Sequence, residues 1–402
     1  MNEKFNYKEM LFEHLRKNKQ CCYINEIYLM TIIDFIQLPS EKFLFFKTYI
    51  FFLFSTILSG TILFYNLLFE KKINYNSEIG IARVNIERNK IAKICGEIQF
   101  IGDDIKKRDF TIYQIGTRTD RLLFLMKFYF KYCLHDFNEI KKILNSGLFF
   151  DKSMLLWCAK RIPHAVVFKN AIKIIMTNYK LSTVYIGATH ERFALIVSEL
   201  AERYGKKLIC IPHGVESPEK MPGGYVGDIF YCSSSMMAFK LNQVYNTSKF
   251  VFDVDVTKKI YHINNTRINT PINGEIKVVF FTQPIYIKQS KEIIVTLAEY
   301  LKTKNKKLYL KVHPKESPIE YIFENTQIIG DFCDSIVGNI CISMVSTILL
   351  EAIYNDSIPI SIIYLGDASS ELTGYIEFLS DDRIYKPKDE NALIELINKF
   401  CR

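Results

Sequence analysis

The chain of 402 residues has ten cysteines but no CxxC pair and no His/Cys spacing of the kind that holds zinc, so a structural zinc module is excluded. The scattered thiols read as reduced side chains of a cytosolic protein, several of them in core strands. There is no RNA-binding signature and no zinc finger, which removes nucleic acid as an expected partner. The glycine-rich stretch MPGGYVGD (221–228) has neither GxGxxG nor Walker spacing and reads only as a flexible cleft segment. No DxD pair stands in a metal-binding context: Asp103 and Asp104 run into Lys106, Lys107 and Arg108, and Asp381 and Asp382 sit near the C-terminus, both as surface turns. No metal site and no cofactor are therefore expected. Met1 to Gln20 is polar, without an apolar core followed by small residues, so no signal peptide is expected.

What the chain does contain is the composition of a globular protein, 49% apolar and 24% charged, at a length that suits two α/β domains. The formal net charge of +9 is spread along the chain. Two readings stand: attraction to anionic headgroups or anionic substrates, and an ordinary solvated surface. Thr48 to Phe69 carries no charge and reaches the roughly 20 residues that cross a bilayer. Lys42 and Lys47 precede it and Lys71 and Lys72 follow, so the flanks set no orientation. Three readings remain open for it: a buried or half-buried helix of the first domain, a membrane span, and an apolar helix lying in the cytoplasmic membrane surface.

Strand and helix periodicities alternate along the chain. DFTIYQIGTRTDRLLFLMKFYFKY predicts a strand to about Ile115, a turn at Gly116 and an apolar helix. STVYIGATHERFALIVSELAERYGKKLICIPHG predicts strand, helix, glycine stop and a second, buried strand, a βαβ unit. A polar stretch rich in Asn, Thr and Pro at 262–275 marks a linker. It divides the chain into a first domain, 1–265, and a second, 266–402. The second half restarts with βα alternation and ends on a helix after Pro387.

The chemistry-bearing residues fall just beyond strand ends, where open parallel sheets bind ligands. In LYLKVHPKES, Pro314 stops the ladder and holds His313 at the strand end, beside Lys311 and Lys315, a setting suited to a phosphate. Ser346 and Thr347 stand where ICISM passes into a helix, whose first-turn amides can join their hydroxyls on an anion; the alternative is a plain N-cap. Glu351, one turn on, points toward ribose hydroxyls or toward solvent. Gln283, at the end of KVVFFTQP, lines the same crevice. In the first domain, His213 lies between Pro212 and Gly214, placed as a general base, with Glu216 or Glu219 to orient it or to take that role. Glu191 and Arg192 open the helix after VYIGATH and are the acceptor-side candidates, against ordinary helix-end charge.

The order of these motifs (PHG, linker, TQP, KVHPKE, then STILLEA closing on SIPISI) resembles GT-B-fold glycosyltransferases of bacterial surface polysaccharide synthesis. The nearest likenesses are capsule sialyl- and polysialyltransferases and CDP-glycerol glycerophosphotransferases. The resemblance covers about residues 181 to 400. It implies an α/β protein of two Rossmann-like domains facing across a cleft. It implies donor phosphates held by His313, Ser346 and Thr347, and a base in the first-domain motif. The sialyltransferase groups use an acidic residue there, whereas this chain has PHGVE, so His213 or Glu216 takes its place.

The reading that follows is an inverting, metal-independent glycosyltransferase. It takes a nucleotide-sugar donor, with a CMP-sugar such as sialic acid favoured, and a glycan or lipid-linked acceptor of capsule or lipopolysaccharide synthesis. Donor-side residues are His313, Lys315, Ser346, Thr347, Glu351 and Gln283. Its expected place is the cytoplasm at the inner face of the plasma membrane, with a peripheral membrane contact. The alternatives are a CDP-polyol phosphotransferase of the teichoic-acid type, a nucleotide-sugar 2-epimerase and a non-catalytic assembly scaffold.

Overall fold

The computed structural model describes residues 23–25, 41–68, 77–102, 111–145, 152–178, 180–212, 214, 216, 220–263, 276–284, 287–363 and 381–401. His213, Glu219 and most of the expected linker lie outside the described residues. The expected α/β class with two Rossmann-like sheets is what the chain adopts. One sheet has six strands in the order β2-β1-β3-β4-β5-β6 and the other five in the order β11-β10-β7-β8-β9.

In the first sheet β1 is Glu78–Ala82, β2 Gln99–Gly102, β3 Thr183–Ile186, β4 Lys207–Cys210, β5 Ile229–Tyr231 and β6 Phe250–Val251. β1 pairs in parallel with β2 and β3, and β4 with β3 and β5. The strands are short, and β1 and β4 are buried over most of their length, so these two read as near-continuous hydrophobic runs. Leu208, Ile209, Cys210 and Ile211 are all buried. The βαβ unit expected at 183–210 is present, with helix Arg192–Arg203 as its crossover and Gly205 at φ +62° just past the helix end, a conformation that glycine adopts without a Cβ penalty.

The second sheet is parallel throughout, with β7 (Val278–Phe281) central, β8 (Leu308–Lys311) and β9 (Thr326–Ile328) on one side, and β10 (Ile340–Ser343) and β11 (Ile358–Ser361) on the other. Chain direction across the sheet reverses at β7, so the switch point lies between β7 and β10. The terminal helix is Glu390–Phe400, capped by the Asp389 carboxylate, which accepts from the Ala392 N–H at 2.8 Å. Ahead of it, the expected strand is a single bridge between Ile360 and Tyr385.

One local expectation needs correction. Thr111–Gln114 is a turn of 3₁₀ helix, not a strand. The Thr111 hydroxyl accepts from the Gly102 N–H at 2.7 Å and donates to the Gly102 carbonyl, an alternative to a ladder that Ser and Thr side chains commonly offer. The helix after Gly116 runs over Arg118–Lys127 and then widens into a π-helical turn, Phe128–Cys133.

A 25-residue helix, Lys152–Met176, forms the spine of the helical layer, with Cys158, Ala159, Ile162, Phe168, Ile172 and Ile175 all buried. Along it lies the Glu41–Leu67 helix. One stripe of that helix is buried and the rest is exposed, so it is a half-buried helix of the first unit. By density of contacts the chain forms two compact units, 1–213 with 220–230, and 214–219 with 231–402.

Candidate functional site

In the second unit the carboxyl ends of β7, β8 and β10 bring together the segments Thr282–Pro284, Val312–Glu316 and Met344–Thr347. These three strands are adjacent in the sheet and parallel. The HPKE sequence closes as a tight turn: the Glu316 N–H donates to the His313 carbonyl at 2.9 Å, and Pro314 occupies the second position, where its fixed φ is pre-set for the bend. Thr282 locks this turn onto β7. Its hydroxyl accepts from the His313 N–H at 2.9 Å and donates to the Glu316 carboxylate at 2.6 Å. The other Glu316 oxygen accepts from the Tyr321 hydroxyl. Burial, and then the adjoining Glu316 carboxylate, push the Tyr321 phenol well above its ordinary range, so it remains a donor.

The His313 ring is half-buried, and its Nδ1 accepts from the Lys315 N–H at 3.2 Å. An acceptor Nδ1 places the proton of the neutral ring on Nε2, leaving an N–H to donate. Lys315 is exposed beside it. Lys311 is turned away, its ammonium donating to the carbonyls of Ile329 and Gly330.

Ser346 and Thr347 are half-exposed at the end of β10. Ser346 Oγ accepts from the Ile348 N–H at 3.4 Å, a long contact, and Thr347 occupies the cap position with no side-chain cap bond. The helix they open, Ile348–Ile353, has only six residues, so its dipole contributes little and the hydroxyls are the relevant donors. Gln283, expected as a donor ligand, is instead committed to the backbone: its amide oxygen accepts from the Val345 N–H at 2.9 Å and its nitrogen donates to the Val345 carbonyl. This two-point clasp spans the switch point and sets the path of the Ser346–Thr347 segment. Gln283 is thus a positioning residue.

Glu351 and Glu216 both act on one buried phenol through their charge. Burial, then the Glu216 charge, then that of Glu351, hold Tyr261 well above the ordinary tyrosine range. Tyr261 also lies parallel to Tyr354, ring centres 6.2 Å apart. Glu216 is 4% exposed, and its carboxylate accepts from the Ser233 hydroxyl at 2.7 Å and the Ser233 N–H at 3.2 Å. It ties the loop after β4 to the end of β5 and is turned away from solvent. That geometry does not suit a base that must meet an incoming hydroxyl.

In the first unit, the ends of β1 and β3 carry the expected Glu191 and Arg192, joined by two residues that the sequence reading did not single out. Arg83 follows β1, and its guanidinium lies 3.9 Å from the centre of the Phe193 ring; that of Arg192 lies 4.1 Å from the same centre. Two cations on one aromatic ring are each attracted by its quadrupole, and they concentrate positive charge at this sheet end. Glu191 stands 4.0 Å from Arg83. Arg192 is 7% exposed, so the helix-end charge reading fails: its side chain is packed, not solvated.

The second residue is Asn25. Its side chain donates to the carbonyls of His190 and Gly224, each at 2.9 Å, and accepts from the Gly223 N–H at 2.6 Å. It fixes the MPGGY loop against the strand end that carries His190, so that loop is held and not free. Only the adjacent glycines hint at this in the sequence, since a Cβ at position 223 would lie 2.9 Å from the Asn25 oxygen.

Among the described residues no group of three His, Cys, Asp or Glu side chains is placed to hold a metal ion. A surface hollow lined by Ile276, Lys277, Val278 and Lys306 lies at the amino ends of β7 and β8, the end of a parallel sheet that does not bind ligands. No protein-family profile matches the chain, and no curated protein matches it. Among solved structures, one described as the glycotransferase of kitacinnamycin is similar, with a TM-score of 0.44 and 9% identity over 82% of this chain and 91% of that one.

Proposed function

We propose that the chain is a glycosyltransferase that binds the nucleotide of an activated sugar at the carboxyl end of its second sheet and acts on an acceptor held by its first unit. The observation that carries this reading is the convergence of His313, Ser346 and Thr347 on the ends of β8 and β10, either side of β7. The His313 Nε2–H, the Lys315 ammonium and two uncommitted hydroxyl donors form a set that matches phosphate oxygens. Charge-assisted bonds of this kind contribute about 1.5–3 kcal/mol each. In the reaction the acceptor oxygen bonds to the anomeric carbon as the bond from that carbon to the phosphate oxygen breaks. The donor set offsets the charge that builds on the departing nucleotide. His213 takes the acceptor proton, because Glu216 is spent on Ser233. The acceptor belongs to a surface glycan, and the favoured donor is a CMP-sugar.

The same commitment of Glu216 supports a second reading, transfer of a polyol phosphate from a CDP-polyol, because it leaves the HG histidine, His213, as the candidate base, the residue that the likeness to the CDP-glycerol enzymes implies. There the acceptor oxygen bonds to phosphorus and CMP leaves. Incubation with CMP-sialic acid and, separately, CDP-glycerol distinguishes the two by mass: the acceptor gains a sugar in one case and a glycerophosphate in the other.

The first test is thermal stabilisation of the purified protein by CMP, CDP, UDP, GDP and ADP, repeated with His313→Ala. One nucleotide should raise the melting temperature, and the rise should vanish in the variant. Turnover of His313→Ala should fall about ten- to a hundredfold, the equivalent of about 1.5–3 kcal/mol. Stabilisation by none of the nucleotides would sink the proposal in favour of a scaffold, and product formed from donor alone would indicate an epimerase.

A further inference from the structure

The Glu41–Leu67 helix is built the wrong way round for water. Its buried stripe is Thr48, Phe52, Thr56, Ser59, Leu63 and Asn66, four of them polar, while its exposed side carries Phe46, Ile50, Leu53, Phe54, Ile57 and Phe64. Phe54 is 61% exposed and Ile57 66%. The neighbouring turns add Met126 at 72% and Phe130 at 75%. Soluble monomers rarely expose a contiguous apolar patch larger than a few hundred Å².

We infer that this face seats in the surface of an anionic phospholipid bilayer, with the helix axis in the membrane plane. The inference goes beyond the transferase reading and does not depend on it. Three observations select lipid as the occupant. From Phe46 to Leu68 the exposed side offers few hydrogen-bonding groups (Lys47, Thr61 and Tyr65), whereas a protein interface uses about one bond per 100–200 Å² and hydrocarbon needs none. The charges around it are basic: Lys47, Lys127 and Lys131 are exposed, the Lys141 ammonium bonds the Tyr49 hydroxyl at 2.8 Å, and that of Lys160 lies 4.2 Å from the Phe51 ring. The acids nearby are engaged: Asp120 accepts from the Thr117 hydroxyl, and close to Lys141 the Glu139 carboxylate pairs with Lys142 at 2.8 Å and that of Asp136 lies 3.3 Å from the His135 ring. A second copy of the chain would bring this basic fringe against itself, while lipid phosphates complement it.

The protein side of the helix keeps it from spanning. Asn66 accepts from Gln114 through its side chain at 2.9 Å and from the buried Arg121 through its carbonyl at 2.9 Å. The Thr56 hydroxyl donates within the helix to Phe52 at 2.7 Å. Transfer of the helix into hydrocarbon would strip the bonds to Gln114 and Arg121. Lying in the interface keeps them and immerses only the apolar side.

The test is cosedimentation of the full chain with vesicles of phosphatidylcholine, alone or with about 30% phosphatidylglycerol, a typical anionic load. Binding to the anionic vesicles is expected without any nucleotide. The double variant Phe54→Glu/Ile57→Glu changes only exposed positions and should lower it at least about tenfold, with an unchanged circular dichroism melt. Should that variant fail to fold, Lys127→Glu/Lys131→Glu reads the electrostatic part, expected to weaken binding about fivefold or more per lysine. Three results would overturn the inference: no binding of the unmodified chain to anionic vesicles; a dimer in light scattering that Phe54→Glu/Ile57→Glu converts to monomer with vesicle binding unaffected; or, in cell membranes, resistance to alkaline carbonate extraction, the behaviour of a spanning helix.

Discussion

At the residue scale the donor-side geometry depends on Thr282 more than on any residue singled out from the sequence. One hydroxyl satisfies the His313 N–H and a Glu316 carboxylate oxygen together. Thr282→Val keeps the shape and removes both bonds, leaving a donor and a charged acceptor short of a partner in a part-buried place. A cost of about 1–3 kcal/mol is expected, read as a lower urea midpoint. The nucleotide-induced rise in melting temperature should shrink with it, since the His313 turn is no longer pinned to β7. Thr282→Ser, which keeps the hydroxyl, should restore both readouts. Glu216 gives the complementary case. If it serves as a structural tie, Glu216→Gln loses about 1–3 kcal/mol of stability, while the proposed turnover of the folded protein changes less than about tenfold. A hundredfold loss of turnover at unchanged stability would reinstate it as the base.

At the scale of elements, what was legible in the sequence followed periodicity. The βαβ unit at 183–210 and the alternation after 276 were readable because short apolar runs and helical spacing were bounded by Gly205, Pro284 and Pro314. The Lys152–Met176 helix was not, because a helix buried nearly all round has no polar face to mark its period, and Pro163 lies inside it. Arg83 and Asn25 were missed for another reason: each acts at a distance in sequence, on Phe193 and on the 223–224 loop, and nothing local marks them. The sidedness of the Glu41–Leu67 helix was not legible either: its hydroxyls and Asn66 form the buried stripe, and their burial is what turns the apolar side outward. Close packing adds a test of the strand-to-helix joint after β3. A Cβ at Gly187 would sit 2.4 Å from the Glu87 Cβ, and Glu87 holds the β1 end by accepting from the Arg83 N–H at 2.7 Å. Gly187→Ala must therefore displace the Asn85–Cys95 helix and with it Arg83. A loss of about 1–3 kcal/mol in chemical denaturation is expected, with no change in nucleotide binding, because the second unit is untouched.

For the whole molecule, the inferred bilayer contact rests on the net charge of +9 and on the apolar face, two separable contributions that salt distinguishes. The lysine fringe acts through solvent, so its attraction to lipid phosphates fades as the Debye length contracts from about 10 Å at 0.1 M salt to about 3 Å at 1 M. The immersed phenylalanines and isoleucines are indifferent to that screening. Binding to phosphatidylglycerol vesicles should therefore fall about tenfold or more across this range and then level off at the value measured on phosphatidylcholine alone. Lys127→Glu/Lys131→Glu should start near the plateau and show little salt dependence. Phe54→Glu/Ile57→Glu should retain a steep salt dependence at much lower affinity. A curve that falls to zero at high salt would mean that charge alone holds the protein to lipid and that the exposed apolar face does not enter the bilayer; a curve flat in salt would remove the lysines from the mechanism.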